Sequence, residues 1–261
     1  MIAKEIITYM ESIKDEEQRK NLMRFFKTGP GEYGEGDQFL GLKVPQTREV
    51  VRHSADLPYS EIPTLLQSQW HEVRLCGFLL LVKRFEDAAK LRLRDVSEAT
   101  HRRDQIVETY LRYGEYANNW DLVDLSVPKI LGHWLLLPTF LGGDSGEKAG
   151  MHEDYKLKVL DRLADSPNLW LQRMSMVCSW KTSQQGDPSF CLRYAEKHLH
   201  HPHDLMHKAV GWMLREMGKR VSMDLLRGFL HQHAHEMPRT ALRYSIEKMD
   251  ESERKYWMSI R

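Results

Sequence analysis

The run Asn118-Asn119-Trp120-Asp121-Leu122-Val123-Asp124 brings an indole and two carboxylates within seven residues. Trp120 and Asp124 are four residues apart and share one helical face with Val123, Val127, Ile130, Leu131 and Trp134. Asp124 thus interrupts an apolar stripe. A carboxylate among apolar groups is costly unless a cation pairs with it or it has chemistry to perform. The chemistry open to it is stabilisation of a developing positive charge, to which a neighbouring indole face adds cation–π attraction. The plainer alternative is a structural Asp, held by an Arg or capping a restarted helix. Pro128 supports a restart, because it cannot donate an amide hydrogen bond to the carbonyl of Asp124.

A second cluster lies in the segment Leu205 to Lys219. Its apolar face gathers Met206, Val210, Met213, Leu214 and Met217, while Lys208, Trp212, Arg215 and Lys219 follow a stripe roughly opposite. An aromatic flanked by cations marks either an inter-helix contact or a binding surface. Residues 166–186, 205–215 and 237–246 contain no acid, and Arg173 and Lys181 stand there among Trp170 and Trp180. Basic side chains interleaved with aromatics suit a phosphate backbone and an exposed base or sugar. The alternative is that acid-poor helices are simply the buried ones.

These segments must be positioned by helices, because helical periodicity dominates and no stretch alternates convincingly as a strand. Segments opening at Arg74, Arg173, Lys208 and Arg239 resemble one another, each a basic residue followed by small and apolar ones. With Asp124 as a fifth anchor, the intervals are 50, 49, 35 and 31 residues, scattered around the ~40–47 of HEAT-type helix pairs. This predicts an all-α superhelical solenoid of two-helix repeats, a single domain over 1–261, with a concave basic surface. Gly and Pro cluster at residues 29–36 and 142–150, both read as loops, the second as a flexible insertion near 141–151.

Bulk composition narrows the function. With 38 basic against 37 acidic side chains, no global field advertises nucleic acid, so any such surface requires segregated charge. Cys76, Cys178 and Cys191 lack metal-ligand spacing and fit small buried thiols in a reducing cytosol. No apolar run approaches the ~20 residues of a membrane span. The expectation is a cytoplasmic monomer. His198, His200, His201 and His203, and His231, His233 and His235, alternate rather than sharing a helix face. They read as solvated loops rather than a metal site. No phosphate loop, dinucleotide fingerprint or nucleophile elbow occurs.

The segments singled out above are those in which the chain resembles the AlkD-like family of HEAT-like-repeat DNA alkylation repair glycosylases. Trp120 to Pro128 is similar to that family's W-D-x-V-D-x-x-V-P signature. Asn168 to Arg173, Lys208 to Glu216, and Gly41-Leu42-Lys43-Val44-Pro45-Gln46-Thr47-Arg48 are similar to three further motifs. The resemblance implies an all-α superhelix that encircles duplex DNA and excises cationic alkylpurines without flipping the base into a pocket. It implies Asp124 as the catalytic carboxylate, with Trp120 and Trp212 holding the lesion nucleotide from its sugar side. It places Arg173 at the DNA backbone near the lesion. Lys43, Arg48, Lys181, Lys208 and Arg215 complete the expected DNA contacts, and no cofactor or metal is called for. Phe25 stands where the family has a Tyr. Two other readings stay open: a non-catalytic DNA-binding relative, and a HEAT-type protein-interaction scaffold with Trp212 as its hot spot.

Overall fold

The computed structural model describes residues 1–90, 96–143 and 148–260. The fold is all-α: among the described residues the extended pairings are two isolated bridges, Gln38 with Trp70 and Thr139 with Gly150. The backbone clusters into two compact units, Met1–Ser126 and the residues from Val127 onward. No helix among the described residues is long and apolar enough to cross a membrane.

The first unit contains α1 (Ala3–Ser12), α2 (Glu16–Phe25), α3 (Val44–His53), α4 (Ile62–Leu66), α5 (His71–Lys90), α6 (Val96–Arg112) and α7 (Trp120–Ser126). Its hub is α5, which packs against α3, α4, α6 and α7. Val73, Leu75, Phe78, Leu80, Leu81 and Phe85 point to all sides of α5 and are all buried. A helix apolar all round belongs in a core. The polar start of α5 serves a different purpose. The buried Glu72 carboxylate accepts the backbone N–H groups of Leu40, Gly41 and Leu42 at 2.9, 2.8 and 3.0 Å. These bonds fix the strap that leads into α3. Gly41 within it has φ +91°, and a Cβ there would strike the carbonyl oxygen of Asp15, so only glycine fits.

The second unit contains α8 (Leu131–Trp134), α9 (Glu153–Ala164), α10 (Leu169–Val177), α11 (Ser179–Gln184), α12 (Ser189–Lys197), α13 (Asp204–Arg220), α14 (Met223–His233), α15 (Arg239–Ser245) and α16 (Glu251–Ser259). Helices pair as α9 with α10 and α12 with α13, and α10, α13 and α15 pack in succession, the pattern expected of stacked two-helix repeats. Asn168 caps α10, its Oδ1 accepting the N–H groups of Trp170 and Leu171. The apolar stripe expected on α13 is buried throughout: Met206, Val210, Met213, Leu214 and Met217. Gly211 lets α13 approach α15 closely, since a Cβ would meet the carbonyl oxygen of Ala241. The excursion expected near 141–151 is closed at its base by two hydrogen bonds between Thr139 and Gly150, at 2.7 and 3.2 Å. Its residues 144–147 lie outside the described residues.

All five repeat anchors lie on helices, but the shared basic residue has a different origin from the concave row expected of it. Arg74 donates to the carbonyls of Ser68 and Gln69 at 2.8 and 3.0 Å. Arg173 donates to the carbonyl of Leu205, and Arg239 to those of Met258 and Ile260. Each of these guanidiniums is committed to backbone carbonyls of the protein itself. For Arg74 and Arg173, both buried, the acid-poor stretch is therefore an interior one.

Glu72→Gln keeps the shape of the carboxylate while setting an amide against backbone donors. It should lower unfolding free energy by at least about 2 kcal/mol, measured by urea denaturation at neutral pH. A change below about 0.5 kcal/mol would show that the strap does not depend on Glu72.

Candidate active site

Helix α7 ends at Ser126 and α8 begins at Leu131, so the chain does break around Pro128. The buried residues of α7 are Asp121, Leu122, Val123 and Ser126. Trp120 and Asp124 occupy another face, and both are half-buried. This corrects the sequence expectation. Asp124 stands at the edge of the apolar stripe rather than in its middle, and the acid taken into the interior is Asp121. A half-buried carboxylate beside a half-buried indole remains reachable by a substrate.

Aromatic rings fix the orientation of Trp120. Phe26 stacks on it with ring centres 5.3 Å apart, and Phe25 meets it edge-on at 5.9 Å. Phe26 is in turn stacked on Phe39 at 5.2 Å. Phe25 closes α2 and is 61% exposed, so it presents an open aromatic surface beside Trp120. Its ring has no hydroxyl with which to bond a ligand. Asn119, fully buried, accepts the N–H of Trp120 on its side-chain oxygen at 2.9 Å.

Beneath these rings lies a buried charge cluster. His71, 2% exposed, has Nδ1 at 2.8 Å from Asp37 and Nε2 at 2.9 Å from Asp121. Arg74 binds the other oxygen of Asp37 at 2.5 Å and the side-chain oxygen of Asn118 at 3.0 Å. Burial opposes charge on His71, but Asp121 and Asp37 together outweigh it and raise the imidazole to about 9. Burial likewise works to raise Asp37, and is overcome by His71 and then Arg74, which hold it below its usual range. Sequence reasoning gave no role to Asp37, His71 or Asp121. They lie 34 and 50 residues apart in the chain, and no local spacing announces them.

The other expected site residues lie elsewhere. Lys43 and Arg48 flank the start of α3 in the first unit, both exposed. In the second unit, Trp212 is half-buried on α13, outside the apolar face as expected. Lys208 forms an ion pair with Asp204 at 2.8 Å, and Arg215 pairs with Glu247 and Glu216. The basic stripe is thus partly neutralised by acids outside the acid-free window. Lys181 lies near Gln184 at 3.2 Å. Arg173, expected at a DNA phosphate, is 4% exposed. The structure brings Phe25, Trp120 and Asp124 together in one unit, and sets Arg173, Lys181, Lys208, Trp212 and Arg215 in the other.

His200, His201, His203 and His235 lie in inter-helix segments as expected, but three other histidines do not fit solvated loops. His198 is buried and hydrogen-bonded to Ser175 at 2.8 Å, while His231 and His233 lie on α14. His201 bonds Gln172 and accepts the N–H of His203, which caps α13. This chain of contacts ties α10 to the start of α13. Burial, with smaller repulsions from His201 and Lys197, lowers His198 to about 4. Among the described residues no group of three or more His, Cys, Asp or Glu side chains is placed to hold a metal.

A family described as DNA alkylation repair enzyme matches residues 6–249. Among solved structures, one described as a predicted DNA alkylation repair enzyme from Enterococcus faecalis superposes with a TM-score of 0.64 at 14% identity. The match covers 91% of this chain and 97% of that one. No curated protein matches the chain in sequence.

The two most strongly perturbed histidines set opposite limits on stability. His198, lowered from 6.5 to about 4, contributes stability that is present above its unfolded value and lost as pH falls through 4. His71, raised from 6.5 to about 9, contributes stability that is complete below 6.5 and lost as pH rises through 9. Unfolding free energy measured across this range should peak near neutrality, and His71→Gln should flatten its alkaline side. A profile still rising at pH 9 would contradict the charged His71.

Proposed function

Because the chain belongs to the DNA alkylation repair enzyme family, we propose that it is a DNA glycosylase hydrolysing the N-glycosidic bond of cationic N3- and N7-alkylpurines in duplex DNA. The observation that carries this reading is the shared half-buried face of Trp120 and Asp124 on α7, with the Trp120 ring held by Phe26 and Phe25.

The chemistry needs little else. An N3- or N7-alkylated purine already carries positive charge and departs without a general acid. The electron pair of the glycosidic bond leaves with the purine, and an oxocarbenium-like sugar develops. Asp124 stabilises that cation and directs a water to C1′, accepting the proton the water gives up as its oxygen becomes the new C1′ hydroxyl. A carboxylate ~4 Å from the sugar cation contributes about 4 kcal/mol at an effective dielectric of 20, enough for roughly a thousandfold in rate. An indole face such as that of Trp120 adds about 0.5–2 kcal/mol. Lys43, Arg48, Lys181, Lys208 and Arg215 serve the phosphates in this reading. Burial of Arg173 gives it a packing role beside any role at the backbone.

The absent hydroxyl of Phe25 favours a second reading, a relative that binds DNA without excising. Release of free N7-methylguanine from methylated duplex DNA separates the two. Steeply salt-dependent binding between about 50 and 200 mM with no released base would establish the second.

Asp124→Asn should keep affinity for lesion DNA and thermal stability while slowing single-turnover excision at least ~100-fold. A stable variant excising at the wild-type rate would remove Asp124 from the chemistry. Trp212→Ala should cut excision with little loss of stability. A cost of ~3 kcal/mol or more would make Trp212 a core residue instead.

A further inference from the structure

His71 lies between two carboxylates, at 2.8 Å from Asp37 through Nδ1 and 2.9 Å from Asp121 through Nε2. A neutral imidazole has one N–H, so one of these contacts would set a ring lone pair against a carboxylate oxygen. With both carboxylates ionised, both are hydrogen bonds only when the ring carries two protons. The remaining oxygen of Asp121 is buried without a hydrogen-bond donor among the described residues, so compensation of that charge falls to the imidazolium.

The charged groups facing the ring are Asp37, from the segment after α2, and Asp121, from α7. Arg74, one turn along α5, acts through Asp37. Phe39 and Phe26 cover the ring with centres at 4.3 and 5.1 Å, and Glu72 is committed to the backbone of Leu40 to Leu42. Two anions and two cations balance. Loss of one ring proton would leave a net negative charge in a site closed to water, and the cheapest relief is withdrawal of Asp121.

Asp121 belongs to the first turn of α7, directly after Trp120 and three residues before Asp124. On the other side of Trp120, Asn118 is bonded to Arg74. The cluster therefore grips the chain on both sides of the indole.

We propose that His71 is a positioning residue, a protonated latch that holds the first turn of α7 and with it Trp120 and Asp124. The latch depends on the geometry of α7. Its bearing on catalysis rests on the glycosylase reading above. His71 touches no substrate; its effect passes through Asp121.

Two measurements on the full chain keep these apart. In histidine-labelled protein followed by NMR, both ring nitrogens of His71 should carry protons at pH 7. The indole N–H resonance of Trp120, assigned with Trp120→Phe, should move with the same midpoint as His71, near 9. Single-turnover release of N7-methylguanine, corrected for spontaneous loss, should fall about tenfold across that midpoint. Asp37→Asn should move both midpoints to lower pH; if that variant fails to fold, the wild-type titrations decide. A single ring proton at pH 7, or a Trp120 resonance that stays fixed while His71 titrates, would overturn the latch. A protein inert at every pH whose Trp120 still follows His71 would overturn the glycosylase reading and uphold the latch.

Discussion

A histidine shared by two carboxylates is an expensive arrangement, and the first unit is organised to make it tolerable. Desolvating Asp37, His71 and Asp121 costs free energy that only close, well-directed bonds recover. The arrangement therefore tolerates little displacement of any member. Asp37 is held by Arg74, which also donates to Ser68, Gln69 and Asn118. The ring is confined by Phe26 and Phe39. Rigidity is thereby concentrated at a chosen place. The loop after α2, the start of α5 and the start of α7 meet at one point, and Trp120 stands directly above it.

This arrangement separates two tasks that one carboxylate could not perform together. Asp121 is buried and committed to holding α7, whereas Asp124, one turn on, is half-buried and reachable. A carboxylate bound to His71 in the interior is turned away from any substrate. On the proposed reading, the W-D-x-V-D order runs from indole to anchor to core and then to the half-buried acid.

Much of the architecture was legible in the sequence. The apolar stripe of α13 and the break near Pro128 follow from periodicity and from the chemistry of proline. The recurrence anchored at Arg74, Asp124, Arg173, Lys208 and Arg239 located helices correctly, yet misjudged the guanidiniums. A buried Arg bonded to carbonyls and an exposed Arg awaiting a phosphate leave the same letter in the sequence, and only the neighbouring helix distinguishes them. Asp124 was conspicuous because the helix pattern around it is regular, although that pattern overstated its burial. His71 was invisible for the opposite reason: its partners come from segments far along the chain, and the first residue of a helix breaks no periodicity. Half of the candidate site could be read locally, and the half that holds it in place could not.

The short bridge between Thr139 and Gly150 bears on how such a chain can diverge. Two hydrogen bonds close the base of the excursion, and Gly142 lies against the ring of Tyr155 on α9, so the flanking helices receive the chain at fixed points. Lengthening a closed loop costs only slowly growing entropy, about 0.6 kcal/mol per doubling. The bridge therefore holds Thr139 and Gly150 together whatever the length of chain between them. Insertions and deletions there are cheap for the fold, which makes it a place where length can drift between relatives while the helices on either side keep their register.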